Sequence, residues 1–269
     1  MLDNINRNYT YLNANSVNSP ISRPNGNKNT NLPSKNANEI AGNNASIYRV
    51  KQATQNPQNA VLAYYGFGPS SLLQAYVNPS FIDSLAKNNS NVQKILDEHN
   101  VEYSVHVENI PVRHMRATSA IALEIAEQLG LNSIDKQVLE QAALFHDFGK
   151  SLIPSEVLNK PGRFTAEERE IMDLHSDLSY ELLSQTKLNK RALNVIKNHH
   201  NAEQSNDILV QILSVADIYS ALREERCYKE NLSTKEAFSI LDQKAEKGEV
   251  SAEVVDALKS IVYRQEYAA

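Results

Sequence analysis

The 269-residue chain is 41% hydrophobic, has a formal net charge of -5 with a pI near 5.8, and contains one cysteine, Cys227. That length suffices for a sizeable buried core, the acidic balance argues against polymeric nucleic acid as a ligand, and a lone cysteine excludes an intramolecular disulfide framework or a thiolate metal cluster. With no basic segment leading into an apolar core at the amino terminus and no run approaching 18 apolar residues, we expect no secretory signal, no membrane span and a cytoplasmic location.

Residues 1–60 hold about sixteen asparagines among scattered Ser, Pro and Gly, without apolar periodicity. Such a segment cannot bury enough surface to offset chain entropy, so a disordered Asn-rich tail is expected, a candidate for recruiting a protein partner. Residues 61–110 read as a lead-in with short helices: a turn at Gly66-Phe67-Gly68-Pro69, an apolar stretch over Ser71–Val77, and a capped helix over Asn91–Glu98. A short extended piece is expected at Tyr103–Val107.

Residues 111–269 read as the domain proper. Pro111 suits a first helical position, and the helix that follows carries Ile121, Leu123, Ile125, Ala126 and Leu129 before stopping at Gly130, with His114 in its first turns. A second helix begins near Ser133 and delivers His146 and Asp147 at its end. Thr165-Ala166-Glu167-Glu168 fits a capping box opening a helix that carries Ile171, His175 and Leu183. A fourth, from Lys190, finishes in His199-His200. Asp207 opens a fifth, apolar from Ile208 to Ala216 and therefore central, with Asp217 in its middle. Two amphipathic helices, Thr234 to about Lys247 and Ser251 to about Arg264, close the domain. The expectation is an all-α fold, a single bundle of about seven helices.

Chemistry concentrates where the second helix ends, at His146-Asp147-Phe148-Gly149-Lys150. Adjacent helical side chains project about 100° apart, so His146 and Asp147 approach one point from neighbouring directions. Gly149 reads as the glycine that lets the chain turn, and Lys150 then stands within reach of an anion. Taken singly, a core histidine or a capping aspartate is the commoner explanation. Yet five of the seven histidines (His114, His146, His175, His199 and His200) together with Asp147 and Asp217 fall at helix ends or beside apolar faces. A buried carboxylate needs a cation, and imidazole with carboxylate suits a borderline divalent metal. A metal centre is expected.

The same residues resemble the HD superfamily of metal-dependent phosphohydrolases, and within it the HD-GYP branch. The resemblance runs from Pro111 to about Leu258 and rests on His146-Asp147-Phe148-Gly149-Lys150 with Ile153-Pro154, Val157-Leu158-Asn159-Lys160-Pro161-Gly162, Glu167-Glu168 with Met172 and His175, His199-His200, Val215-Ala216-Asp217-Ile218-Tyr219-Ser220-Ala221-Leu222, and Arg226-Cys227-Tyr228-Lys229. It implies two divalent ions, Fe, Mn or similar: one held by His114, His146, Asp147 and Asp217, the other by a bridging Asp147 with His175, His199 and His200. It further implies water-mediated hydrolysis of a nucleotide phosphoester with Asp147 and Lys150 in the catalytic machinery, and Lys150, Arg226 and Lys229 as contacts to a nucleotide or cyclic dinucleotide substrate.

Two departures bear on that implication. The branch follows its paired histidines with a glutamate and a glycine-rich loop ending in Gly-Tyr-Pro, whereas here His200 is followed by Asn201-Ala202-Glu203-Gln204-Ser205-Asn206-Asp207. The loop that helps hold cyclic di-GMP is therefore read as deleted, which keeps other nucleotide phosphates open. Members with three metals carry a glutamate one turn before the first histidine. Here Ile110 stands there, so two metals are the expected maximum. The competing reading is an HD-type signalling or scaffold module that binds metal or nucleotide without turning it over, and a third is a merely structural metal clip.

Overall fold

The computed structural model describes Leu73, residues 76–224 and residues 232–268. Expectations for the Asn-rich tail, for the turn at Gly66–Pro69, and for Arg226 and Lys229 fall outside the described residues, as does most of the Ser71–Val77 stretch. Among the described residues the secondary structure is helical throughout, and the expected extended piece at Tyr103–Val107 is not a strand. A single main-chain bond, His106 N to Ser151 O (2.7 Å), ties it to the domain, and the chain then enters a 3-10 turn at Val107–Asn109.

Among the described residues eleven α-helices follow one another: α1 Pro79–Lys87, α2 Ser90–Glu98, α3 Val112–Gln128, α4 Ser133–Phe145, α5 Ser155–Leu158, α6 Ala166–Asp173, α7 His175–Ser184, α8 Lys190–Asn198, α9 Ile208–Arg223, α10 Thr234–Glu246 and α11 Ala252–Ala268. All seven helices expected in the domain are present. Two features raise the number: the single turn α5, and a break that divides the Thr165 helix into α6 and α7.

The caps explain the boundaries. Thr165 and Ser233 each form a complete capping box, with Glu168 and Glu236 returning the bond. The side chains of Asn132, Asn189 and Asp207 accept the free amide N–H groups of α4, α8 and α9. Gly130, at φ +71°, ends α3 in the left-handed region that glycine adopts without a Cβ penalty. The break at Leu174 has a local cause too. His175 Nδ1 donates to Met172 O at 2.6 Å, and the Leu174 amide turns back to Ile171, so the helix restarts one residue later.

α9 is the axis of the bundle, with Leu209, Val210, Ile212, Leu213, Val215 and Ala216 all fully buried. Removing each of its large apolar side chains from water contributes roughly 1.5–3 kcal/mol before chain entropy is counted. α3 packs on α4, α9 and α11, α8 lies between α4 and α7, and α10 closes the far side against α9 and α11. The lead-in helices belong to the same core: α1 and α2 lie on α7, Asn89 donates to Glu181 O (2.9 Å), and Tyr76 meets Phe81, Phe145 and Phe148 edge-on at 4.7, 5.3 and 6.2 Å.

Candidate metal centre

Helix ends aim the histidines. An α-helix leaves its last carbonyls without amide partners, and three of the five imidazoles take up such carbonyls. His146 follows α4 and its Nδ1 donates to Ala143 O (2.8 Å). His175 follows α6 and donates to Met172 O (2.6 Å). His199 follows α8 and donates to Ile196 O (2.6 Å). Each bond runs to the residue three positions back. With Nδ1 committed to a carbonyl, Nε2 of each ring is the nitrogen left for a ligand.

The seven candidate ligands converge. His114 Nε2 stands 2.8 Å from Asp217 Oδ1 and 3.9 Å from Asp147 Oδ2. His146 Nε2 lies 3.4 Å from Asp147 Oδ2 and 3.6 Å from Asp217 Oδ1, while His175 Nε2 lies 3.3 Å from Asp147 Oδ1 and 3.0 Å from His200 Nε2. The rings of His146 and His199 meet at 5.0 Å, and those of His199 and His200 at 3.9 Å. All are buried except His200, which is half-buried. Ligand atoms group as His114, His146 and Asp147; as His175, His199 and His200; and as His146, His199 and Asp217, each set within 4.8 Å.

Three observations fit divalent ions. Two buried imidazole nitrogens, His146 Nε2 and His199 Nε2, make no hydrogen bond, although a buried polar atom ordinarily finds a partner. Two carboxylates, Asp147 and Asp217, sit fully enclosed, which demands positive charge nearby. The donors are nitrogen and carboxylate oxygen in a pattern suited to Fe, Mn or Zn.

The electrostatics point the same way. Burial pushes Asp147 and Asp217 up, but His146 and Lys150 around the first, and His114 and His146 around the second, outweigh it and hold both well below the usual carboxylate range. Burial pulls His146 down, yet the two aspartates raise it to about 10, and Asp217 and Glu224 raise His114 in the same way. Burial, then the charge of Lys150, lowers His175 to about 4; burial, then His146 and His175, lowers His199 to about 3. The centre thus separates into a pair of proton-loving imidazoles beside the carboxylates and a pair kept neutral.

One sequence expectation needs correction. Gly149 does not serve the turn through backbone freedom, since it is absent from the residues with positive φ. It is required by contact: an added Cβ would stand 2.3 Å from His175 O and 2.5 Å from Ser179 N, because α7 passes directly over the 3-10 turn Phe148–Leu152. Lys150, expected within reach of an anion, is buried beside the candidate ligands, with Nζ 2.6 Å from Asp147 Oδ2.

Several residues that shape the site were not singled out from sequence. Ser179 takes the Gly149 amide (2.7 Å) and donates to His146 O (2.8 Å). Asn109 donates to Ile153 O (2.8 Å) and accepts from Ser155 Oγ (3.2 Å), fixing the far end of the same turn. Ser220 and Glu224 face His114. For Ser179, Ser220 and Glu224 the signal was helical spacing, at four residues from His175 and at three and seven from Asp217. Asn109 offers no such signal.

Comparison with known proteins agrees with this arrangement. The HD domain family matches residues 112–222, the segment from α3 to the end of α9. A cyclic di-GMP phosphodiesterase response regulator, RpfG, of Xanthomonas campestris is 37% identical over 136 residues, covering 46% of this chain and 36% of that protein. A cyclic di-GMP phosphodiesterase of Thermotoga maritima is 30% identical over 173 residues, covering 57% and 47%. A 3'3'-cGAMP-specific phosphodiesterase 2 of Vibrio cholerae is 30% identical over 130 residues, covering 44% and 25%. The matches span less than half the length of these relatives. No helix among the described residues is long and apolar enough to cross a membrane. The segment that carries the candidate ligands, residues 112–222, is thus similar to the HD domain family.

Proposed function

We propose that the chain is a metal-dependent phosphodiesterase that hydrolyses a nucleotide phosphoester, with cyclic dinucleotides the leading substrate class. The observation that carries this reading is the enclosed meeting of five imidazoles and two carboxylates with two Nε2 atoms left without hydrogen bonds. The relatives, which are named for phosphodiester cleavage of cyclic di-GMP and cGAMP, support the substrate class.

In this reading His114, His146, Asp147 and Asp217 hold one ion, and Asp147, His175, His199 and His200 hold the other. Two divalent ions held together would supply an activated water and Lewis-acid polarisation of the phosphoryl group. The protein's own contribution is positional. The three Nδ1 bonds to main-chain carbonyls keep the rings aimed before any ligand arrives, and the hydroxyl of Ser179 is committed to Gly149 and His146. Lys150 neutralises Asp147, and its charge is the one most directly available to offset negative charge on a phosphoryl oxygen. The half-buried edge at His200 is where substrate would approach.

A module that binds without turnover is favoured by one feature, the short connection from His200 to α9. Ala202–Gln204 forms a single 3-10 turn there, and Gln211 Nε2 donates to both Ala202 O (2.6 Å) and Ser205 O (2.7 Å), which pins the connection close to the bundle. The deciding experiment is purification of the full chain, loading with Mn²⁺ or Fe²⁺, and assay on bis-p-nitrophenyl phosphate, cyclic di-GMP and 3'3'-cGAMP. Turnover that is lost in Asp147→Ala supports the enzyme. Retention of metal and nucleotide with no cleavage of any of the three supports the binding module.

A further inference from the structure

The five histidines are not held alike. His146, His175 and His199 each bond a carbonyl three residues back. His114 is placed differently. Three residues before it stands Pro111, whose carbonyl already accepts the amide of Met115 (2.9 Å), because His114 lies at the start of α3 rather than at the end of a helix. Its ring reaches across to α9 instead. Nε2 meets Asp217 Oδ1 at 2.8 Å, and the opposite nitrogen, Nδ1, faces Ser220 Oγ at 3.3 Å and Glu224 Oε2 at 3.5 Å.

Asp217 and Ser220, three residues apart, share a face of α9, and Glu224 follows as the residue that caps its end. One helix and its cap thereby grip both edges of the same imidazole. A histidine can present a lone pair from only one nitrogen while the other carries the proton. A hydroxyl can donate or accept, so Ser220 leaves that choice open. An ionised carboxylate only accepts, so Asp217 calls for a proton on Nε2 and Glu224 for one on Nδ1, and once Nε2 turns to a cation the Nδ1 proton is the one that stays. Its side chain is 26% exposed, and the backbone around it is fastened: Arg223 donates to Leu232 O, and the Leu232 amide returns to Leu222 O at 3.4 Å.

We propose that Glu224 is the positioning residue for His114, holding Nδ1 protonated so that Nε2 is turned as a ligand toward Asp147 and Asp217. This rests on the metal-centre reading given above. Carboxylates that orient a ligating imidazole raise its basicity as well as fixing its rotation, and their loss ordinarily weakens metal binding about 10–100-fold. The Nδ1–Oε2 contact at 3.5 Å is a charge contact.

The test uses the full chain labelled with ¹⁵N-histidine, in wild-type, Glu224→Ala and Glu224→Gln forms, with long-range ¹H–¹⁵N spectra of the imidazoles and a Co²⁺ titration followed by visible absorption. Wild type should bind two Co²⁺ and show His114 protonated at Nδ1. Glu224→Ala should bind one of the two ions about 10–100-fold more weakly and lose the fixed tautomer, with kcat on bis-p-nitrophenyl phosphate falling and KM unchanged. Glu224→Gln, which keeps an acceptor oxygen, should recover part of both. Unchanged affinity for both ions and an unmoved His114 Nδ1 signal in Glu224→Ala would overturn the proposal. If wild type takes up no Co²⁺, the metal-centre reading fails, and the imidazole spectra alone decide: a tautomer indifferent to Glu224→Ala overturns the role of Glu224 independently. If Glu224→Ala does not fold, Glu224→Gln carries the comparison, and wild-type Co²⁺ affinities with an unmoved tautomer in that variant overturn it.

Discussion

Gly149 and Ser179 are joined back to back: the glycine amide donates to the serine hydroxyl at 2.7 Å, and that hydroxyl donates onward to the carbonyl of His146 at 2.8 Å. The corner carrying Asp147 is thus fastened to α7 by one oxygen. Gly149→Ala should be severely damaging, since its Cβ would meet main-chain atoms of His175 and Ser179 that cannot swing aside. Overpacking of this kind costs on the order of 3 kcal/mol. Thermal denaturation should show that loss, with reduced metal uptake at temperatures where the variant is still folded. Wild-type melting would contradict the packing described.

Asp147 contacts His146, His175 and Lys150, and so stands between the two groups of histidines. Asp147→Asn should lower metal content below two ions per chain and abolish turnover, as read by elemental analysis and by bis-p-nitrophenyl phosphate hydrolysis. Lys150→Met keeps the buried volume without the charge. It should retain metal while losing about 10²-fold or more in kcat, the scale of one electrostatic stabiliser in a dry site. A kcat within a factor of two of wild type would confine Lys150 to packing and charge neutralisation.

Proton linkage gives the metal-free protein a stability maximum near neutral pH. His175 and His199, lowered to about 4 and about 3, stay neutral when folded, while the unfolded chain takes up protons below about pH 6.5. Stability therefore declines as the pH falls from about 6.5 toward those values. His146, raised to about 10, behaves oppositely: its contribution is complete below about pH 6.5 and is lost as the pH rises toward 10. In chelator, Tm should fall on both sides of neutrality. Divalent metal should flatten the alkaline side, because His146 must release its proton to bind. A Tm that is constant between pH 7 and 9 in chelator would show that His146 is not protonated there.

Thr165→Ala separates stability from chemistry. It removes one half of the box that starts α6, remote from the ligand atoms. A loss of about 1 kcal/mol is expected, or about 2–4 °C in Tm for a domain of this size, with kcat and metal content unchanged.

The helices were legible because their ends carry the chemistry of ends. Thr165, Asn132, Asp207 and Gly130 mark boundaries by local rules that act within a few residues. The convergence of the candidate site was legible for a different reason: histidines and carboxylates placed beside apolar faces have few inexpensive fates inside a core, and His114, His146, Asp147, His175, His199, His200 and Asp217 do meet. What sequence did not reveal depends on which surfaces touch. The requirement at Gly149 comes from α7 passing overhead, and the burial of Lys150 comes from the closeness of Asp147; neither has a signature in the chain. The interruption at Leu174 was hidden for a subtler reason. The apolar spacing runs straight through it, and only the ring of His175 competing for the Met172 carbonyl divides the helix.

Because the aim of His146, His175 and His199 is set by the main-chain oxygens of Ala143, Met172 and Ile196, it does not depend on what side chains those three positions carry. Evolution can therefore redraw the wall behind each ring, swapping one apolar residue for another, without retuning the direction in which the ring points. Insertions or deletions in the last turn of α4, α6 or α8 have no such tolerance, since each would rotate an imidazole nitrogen away from its neighbours by a fraction of a helical turn.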